Sequence, residues 1–291
     1  MRRVEVDRET LLPWVEVAHS SRVTQDVLGQ VGEPLEGSHF DRINEMYPFE
    51  RSSDWCRGYL SAALEHMELW AEHVAPLRFA EDAVVVHRFR PVQTLSRAAV
   101  EAASQAVWLM DGNSARECAR RHLCLILHDL DEQRKAAVGV ARGRIAEARA
   151  TLLERLESAV SEEEIGRFAG YMETVKRASA VVAAKGSKDG GIGDPAEVER
   201  LWRASAGSAH GKRWPSVELQ IVLPKAEIGP GHYATELIPD PDAITRILKL
   251  ADAVSTYGVL RFADYSGYAP QLGSMLTGAN ERLSRLIPRH Q

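Results

Sequence analysis

Asp54-Trp55-Cys56-Arg57-Gly58-Tyr59-Leu60-Ser61-Ala62-Ala63-Leu64-Glu65-His66-Met67-Glu68-Leu69-Trp70-Ala71-Glu72-His73-Val74 is the stretch whose reading decides the fold class. Tyr59, Leu60, Ala63, Leu64, Met67, Trp70 and Val74 recur at steps of three and four, so they share one face of a helix that ends before Pro76. The same period continues downstream. After Pro91, the residues Leu95, Ala98, Ala99, Ala102, Ala106 and Leu109 mark a second helix that stops near Asp111-Gly112. Ser114 followed by Glu117 is a capping-box signature opening a third helical pattern, which reaches about Ser158. Unbroken, that pattern would run about 65 Å; Gly139 and Gly143 are where a bend or break is expected.

Ser161 with Glu164 signals another helix, reaching about Ala184, and Lys185–Gly193 reads as a flexible loop. Asp194, Pro195 and Glu197 open the next helix, with Glu197 expected to complete a capping box. Strand-like pieces occur only in Pro215–Pro241, at Val217–Leu223 and His232–Ile238. Asp240-Pro241 starts a helix to about Phe262, and a last one covers about Pro270–Leu286. The expected fold is all-α, an antiparallel helical bundle with a short hairpin excursion near residues 215–240. Residues 1–50 read as an arm packed on a single domain of residues 51–291: Leu11–Val17 allows a short helix, after which Gly29, Gly32, Pro34 and Gly37 interrupt.

The 291 residues carry a net charge of −5, which argues against coating nucleic acid by bulk charge and leaves room only for a local basic patch. No leader or membrane-spanning run is evident, and three cysteines do not make a disulfide framework. A cytoplasmic protein without a membrane partner is expected. Cys118/His122 and Cys124/His128 resemble ligand pairs, but six residues turn one pair by about 120° from the other on a straight helix. Neither a metal nor another cofactor is therefore expected. Gly190-Gly191-Ile192-Gly193 precedes a helix N-terminus able to attract anions, although it lacks the P-loop ending.

Trp202-Arg203-Ala204-Ser205-Ala206-Gly207-Ser208-Ala209-His210-Gly211-Lys212-Arg213-Trp214 carries the most chemistry. Seven positions are nearly two turns, so Arg203 and His210 share a helix face about 10 Å apart. The small residues between them would let a backbone, a second subunit or a ligand approach. Gly211 suits a helix C-terminus, where carbonyl dipoles favour a cationic group. An imidazole beside a guanidinium suits phosphodiester chemistry.

At these residues the chain resembles the HEPN superfamily, whose motif is Arg, four to six residues, then His near the end of a late helix. Arg97-x-x-x-Glu101, Trp108–Arg121 and Ser208–Gly211 are also similar to uncharacterised bacterial helical proteins of that kind. The resemblance implies a helical bundle, usually dimeric, and in active members a metal-independent ribonuclease of toxin or antiviral-defence type. Arg203 and His210 would then be catalytic. His210 would aid activation of the ribose 2′-hydroxyl or departure of the 5′-oxygen, and Arg203 would stabilise the phosphorane-like transition state. Lys212, Arg213, Arg97, Glu101, Arg116 and Arg120 are the candidate substrate-binding residues, with Glu101 placed to orient Arg203 or His210. RNA or a nucleotide, a second copy of the chain and an antitoxin or regulatory protein are the expected partners. Ala204 stands where the family pattern prefers a polar residue. A non-enzymatic interaction or nucleotide-binding protein with a degenerate motif is the alternative.

Overall fold

The computed structural model describes residues 6–77, 88–156, 161–186 and 191–287. It is predominantly helical, with one small two-stranded sheet. The deciding stretch lies in α3 (Ser52–Val74), whose periodic residues Leu60, Ala63, Leu64, Met67, Trp70 and Val74 are buried as the spacing requires. Its neighbour α4 (Phe89–Met110) is the centre of the molecule. Every residue from Ala103 to Met110 is buried, and α4 packs against α3, α8 (Tyr171–Ala184), α9 (Pro195–Ala209) and α11 (Pro241–Tyr265). Its alanines make this possible. Ala99, Ala103 and Ala106 are fully buried and end at Cβ, so several helices can approach one axis. On α11, Gly258 does the same: a Cβ there would fall 2.6 Å from Leu60 Cδ2.

The helix expected at Leu11–Val17 is longer than the sequence reading made it. α1 (Arg8–Gln30) is a full-length helix capped by Asp7, which accepts from the Thr10 amide at 2.8 Å. Trp14, Val17, Ala18, Val27 and Leu28 are buried, and the helix packs on α3, α11 and α12 (Leu272–Leu286). The Trp14 indole donates to Thr245 Oγ1 at 2.8 Å. Polar residues between the apolar positions hid the pattern, and Gly29 sits in the last turn, where it breaks nothing. A short α2 (His39–Met46) follows and lays Phe40 against Phe262 and Tyr265.

The long third pattern breaks at Gly139, whose φ of +57° ends α5 (Ala115–Ala136) and turns the chain into α6 (Val140–Leu156). Gly143 is simply helical. At Ser161 the reciprocal capping box forms, yet α7 (Glu162–Ile165) lasts one turn because Gly166 and Gly170 adopt φ of +75° and +93°. Ser114 and Asp194 cap their helices through amides of Glu117 and Ala196. Arginines engage both acids expected to complete those boxes: Glu117 binds Arg120 and Arg121, and Glu197 binds Arg200 and Arg246. The excursion is a one-turn α10 (Trp214–Glu218), then β1 (Gln220–Gly229) antiparallel to β2 (His232–Pro239). Asp240 caps α11, and a 3₁₀ turn at Ala269–Gln271 leads into α12. Among the described residues no helix is long and apolar enough to cross a membrane.

His122 of α5 is fully buried, its Nε2 2.8 Å from the Glu50 carbonyl and its Nδ1 without a partner. Burial drives its pKa down from 6.5 to about 4, against the raising effect of the Glu50 carbonyl. The unfolded chain therefore takes up a proton near pH 6.5 that the folded chain refuses, so stability falls as pH drops from 6.5 towards 4, by about 3 kcal/mol. Below that range Glu117 acts in the same direction. Hydrogen bonds from Arg120 and Arg121 hold it down from 4.5 to about 2, so its contribution is lost between those values. Urea denaturation across pH 7 to 4 should show the first loss, and His122→Gln should flatten it; an unchanged slope in the variant would refute the assignment. Ala103→Leu should lower stability by about 1–3 kcal/mol by forcing side chains into an already filled axis, read from the denaturation midpoint.

Candidate functional site

Helix α9 presents the candidate residues. Asp194 caps it, Pro195 occupies its first position, and Val198, Leu201, Ala204, Ser205, Gly207 and Ser208 turn inwards. Glu199, Arg203 and His210 lie on the opposite flank at spacings of four and seven. Its end is a Schellman motif: the Lys212 amide donates to the Gly207 carbonyl at 2.8 Å, and the Gly211 amide to Ser208 at 3.1 Å. Gly211 supplies the required positive φ of +67°. His210 is the C-cap residue and is exposed.

A second device, unseen in the sequence reading, holds this end in place. Arg90 of α4 donates through Nη1 to the Ser208 carbonyl at 3.0 Å and through Nη2 to the Lys212 carbonyl at 3.4 Å. Its positive charge therefore sits where the helix carbonyls concentrate negative potential. Ser208 Oγ donates to the buried Gln93 Oε1. The small residues of α9 serve this packing. A Cβ at Gly207 would lie 2.6 Å from Pro215 Cγ and 3.2 Å from Trp214 Nε1, so of the close approaches the small residues allow, this one is taken by the chain's own α10.

Arg203 is half exposed, and its Nε donates to Glu199 Oε1 at 2.8 Å. Glu199 also receives Lys176 of α8 at 3.2 Å. Hydrogen bonds from Arg203 first, and from Lys176 second, hold the Glu199 carboxyl below the usual range. Arg97 and Glu101 form an ion pair at 2.8 Å. Its target, however, is Trp202: Glu101 Oε1 accepts from the Trp202 indole at 2.7 Å, and the Arg97 guanidinium lies 4.9 Å from the ring centre. Glu101 thus orients the residue beside Arg203 and not Arg203 or His210. One helical position decides the difference, because Trp202 points towards α4 and Arg203 away from it.

Lys212 and Arg213 are exposed beyond Gly211, and Trp214 is 41% exposed with its ring against Gly207. Arg116 and Arg120 are not part of this surface. Arg120 binds Glu117 and the Ile165 carbonyl, and Arg116, one turn before it on α5, is exposed. Arg121, one residue on from Arg120, binds the Trp108 carbonyl near the far end of α4. Eighteen residues of α4 separate Trp108 from Arg90, about 27 Å of helix, so no continuous basic stripe joins Arg116–Arg121 to Lys212. The anion-attracting reading of residues 190–193 finds acids at that helix end, namely Asp194 and Glu197; residues 187–190 lie outside the described ones. Cys118 and His122 are engaged by the Gly112 and Glu50 carbonyls.

No protein-family model matches the chain, and neither a curated protein nor a solved structure matches it significantly. The site is therefore read from its own chemistry. It offers an exposed imidazole, two exposed cations, a half-exposed indole and, about 10 Å back along the helix, a guanidinium held by a carboxylate. Sequence reasoning missed Trp214, Glu199 and Arg90. Glu199 was accessible, because Glu-x-x-x-Arg at residues 199–203 is an i,i+4 ion-pair signature.

Substituting Glu199→Gln releases Arg203 from its carboxylate. If Arg203 meets phosphate, affinity for a short single-stranded RNA should rise by up to about fivefold, the range of an exposed ion pair; fluorescence anisotropy measures it, and an unchanged affinity would remove Arg203 from the binding surface.

Proposed function

We propose that the protein is a HEPN-like, RNA-acting protein of the toxin or antiviral-defence kind, cleaving without a metal through Arg203 and His210. The observation that carries this reading is the exposed end of α9, where His210, Lys212, Arg213 and the half-exposed Trp214 follow one another. Cations that track a phosphate backbone beside a ring on which a base can stack are the elements of single-strand binding. The acidic whole, at −5, makes such a patch local and not a property of the surface at large.

In the reaction, His210 accepts the proton of the ribose 2′-hydroxyl and the 2′-oxygen attacks phosphorus. Arg203, exchanging Glu199 for the substrate, balances the charge building on the non-bridging oxygens. The 5′-oxygen leaves with a proton from a protonated imidazole, which a second copy of the chain would supply. The products are a 2′,3′-cyclic phosphate and a 5′-hydroxyl. A homodimer that pairs two α9 ends fits this need, and a regulatory protein or antitoxin would act by covering the same exposed surface.

A second reading, a non-enzymatic binding scaffold, is favoured by one observation: Arg203 and Glu101 already have partners, Glu199 and Trp202. The two separate in one experiment. With chelator present, the wild type should cut single-stranded RNA to fragments ending in 2′,3′-cyclic phosphate, and His210→Ala should slow this about 100-fold or more. Trp214→Ala should weaken binding of uncut RNA by about 1–3 kcal/mol. Binding without cleavage by folded wild type would establish the scaffold reading, and neither binding nor cleavage would sink both.

A further inference from the structure

The turn joining α5 to α6 exposes bulky aliphatic residues between clusters of cations. Ala136-Ala137-Val138-Gly139-Val140-Ala141 is six consecutive apolar residues, and Val138 and Val140 are 83% and 77% exposed, the two largest values among the bulky hydrophobics of the described residues. Basic residues bracket it on both sides: Arg134 and Lys135 before, Arg142 and Arg144 after, with no acid from residue 133 to 146. Arg134 and Lys135 have Asp131 and Glu132 as neighbours, whereas Arg142 and Arg144 make no ion pair among the described residues.

The turn also projects. On α5 the last core-facing side chain is Leu130, and on α6 the first buried one is Leu152. Arg149 ties the two helices, 3.8 Å from Asp131 and also bonded to Glu162. Beyond that tie the two helices run on for about 8 Å of α5 and about 13 Å of α6 before they meet at Gly139. A chain that needed this loop only as a connection would gain nothing from valines at its tip.

We propose that this hairpin tip is a contact for an anionic lipid surface, with Val138 and Val140 entering the interface and Arg134, Lys135, Arg142 and Arg144 meeting the phosphates. Aliphatic residues at the apex with cations one turn behind reproduce the layering of a bilayer face, apolar below and negative above. A nucleic acid would meet the valines first and find no aromatic ring to stack on. That no helix among the described residues is long and apolar enough to cross a membrane does not bear on a contact of this depth. With one apolar tip the binding is weak and reversible, and it weakens with salt.

The test is sedimentation of the full chain with phosphatidylcholine vesicles, with and without phosphatidylserine. Wild type should pellet only with phosphatidylserine, less so at high salt. Val138→Asp with Val140→Asp, and separately Arg142→Glu with Arg144→Glu, should each reduce binding by more than about tenfold. Both pairs are exposed, so unchanged thermal unfolding is expected and confirms that the fold is intact. Equal binding to neutral vesicles, no binding by wild type, or retention by either double variant would overturn the proposal. So would an effect of these variants confined to RNA binding or to self-association.

Discussion

Ser96, Ala99, Ala103, Ser104 and Ala106 hold almost nothing beyond Cβ, and on that the packing around α4 depends. A helix whose side chains end so early can have neighbours close on several sides at once, and here α3, α8, α9 and α11 all reach it. Close approach in one direction constrains the others. Gly258 must lack a side chain because Leu60 and Val107 already fill the space beside it. Dispersion contacts at this density are individually small, but a filled axis forfeits many of them when any member changes size.

The same helix positions the candidate site at two points along its length. Near its start Arg90 and Gln93 hold the last turn of α9, and in its middle Arg97 and Glu101 hold Trp202. The exposed residues of α9 are therefore carried on a rigid element that is fixed from behind, while on the outer flank, among the described residues, Arg203 is held by Glu199, which also binds Lys176. Rigid support with a free outer face suits a surface that receives a large, flat or flexible partner better than one that encloses a small molecule. The proposed lipid contact sits on a different hairpin, the one at Gly139.

The helical period was legible wherever buried residues alternate with charge in α3, α4 and α11, and the turn at Gly139 was legible because glycine alone takes a positive φ without strain. Reading failed in α1 for a different reason. That helix is clasped between α3, α11 and α12, and its polar Ser21 and Thr24 are buried there, which blurs the apolar stripe that a periodicity search needs. Capping boxes were over-read for a related cause: Glu117 and Glu197 each had arginines within reach, and a bidentate guanidinium competes well with a single backbone amide.

What the sequence determined by itself is local: helical spacing, the glycine that ends α9, the cap at Asp194, and the seven-residue step that puts Arg203 and His210 on one flank. These follow from φ/ψ preferences and helix geometry, which act over a few residues. Partners 23 to more than 100 positions apart were decided only by tertiary structure: Glu101 for Trp202, Arg90 for the end of α9, Lys176 for Glu199 and Glu50 for His122. Those choices depend on which side chains the helices bring together as they pack around α4, and no spacing along the chain encodes that.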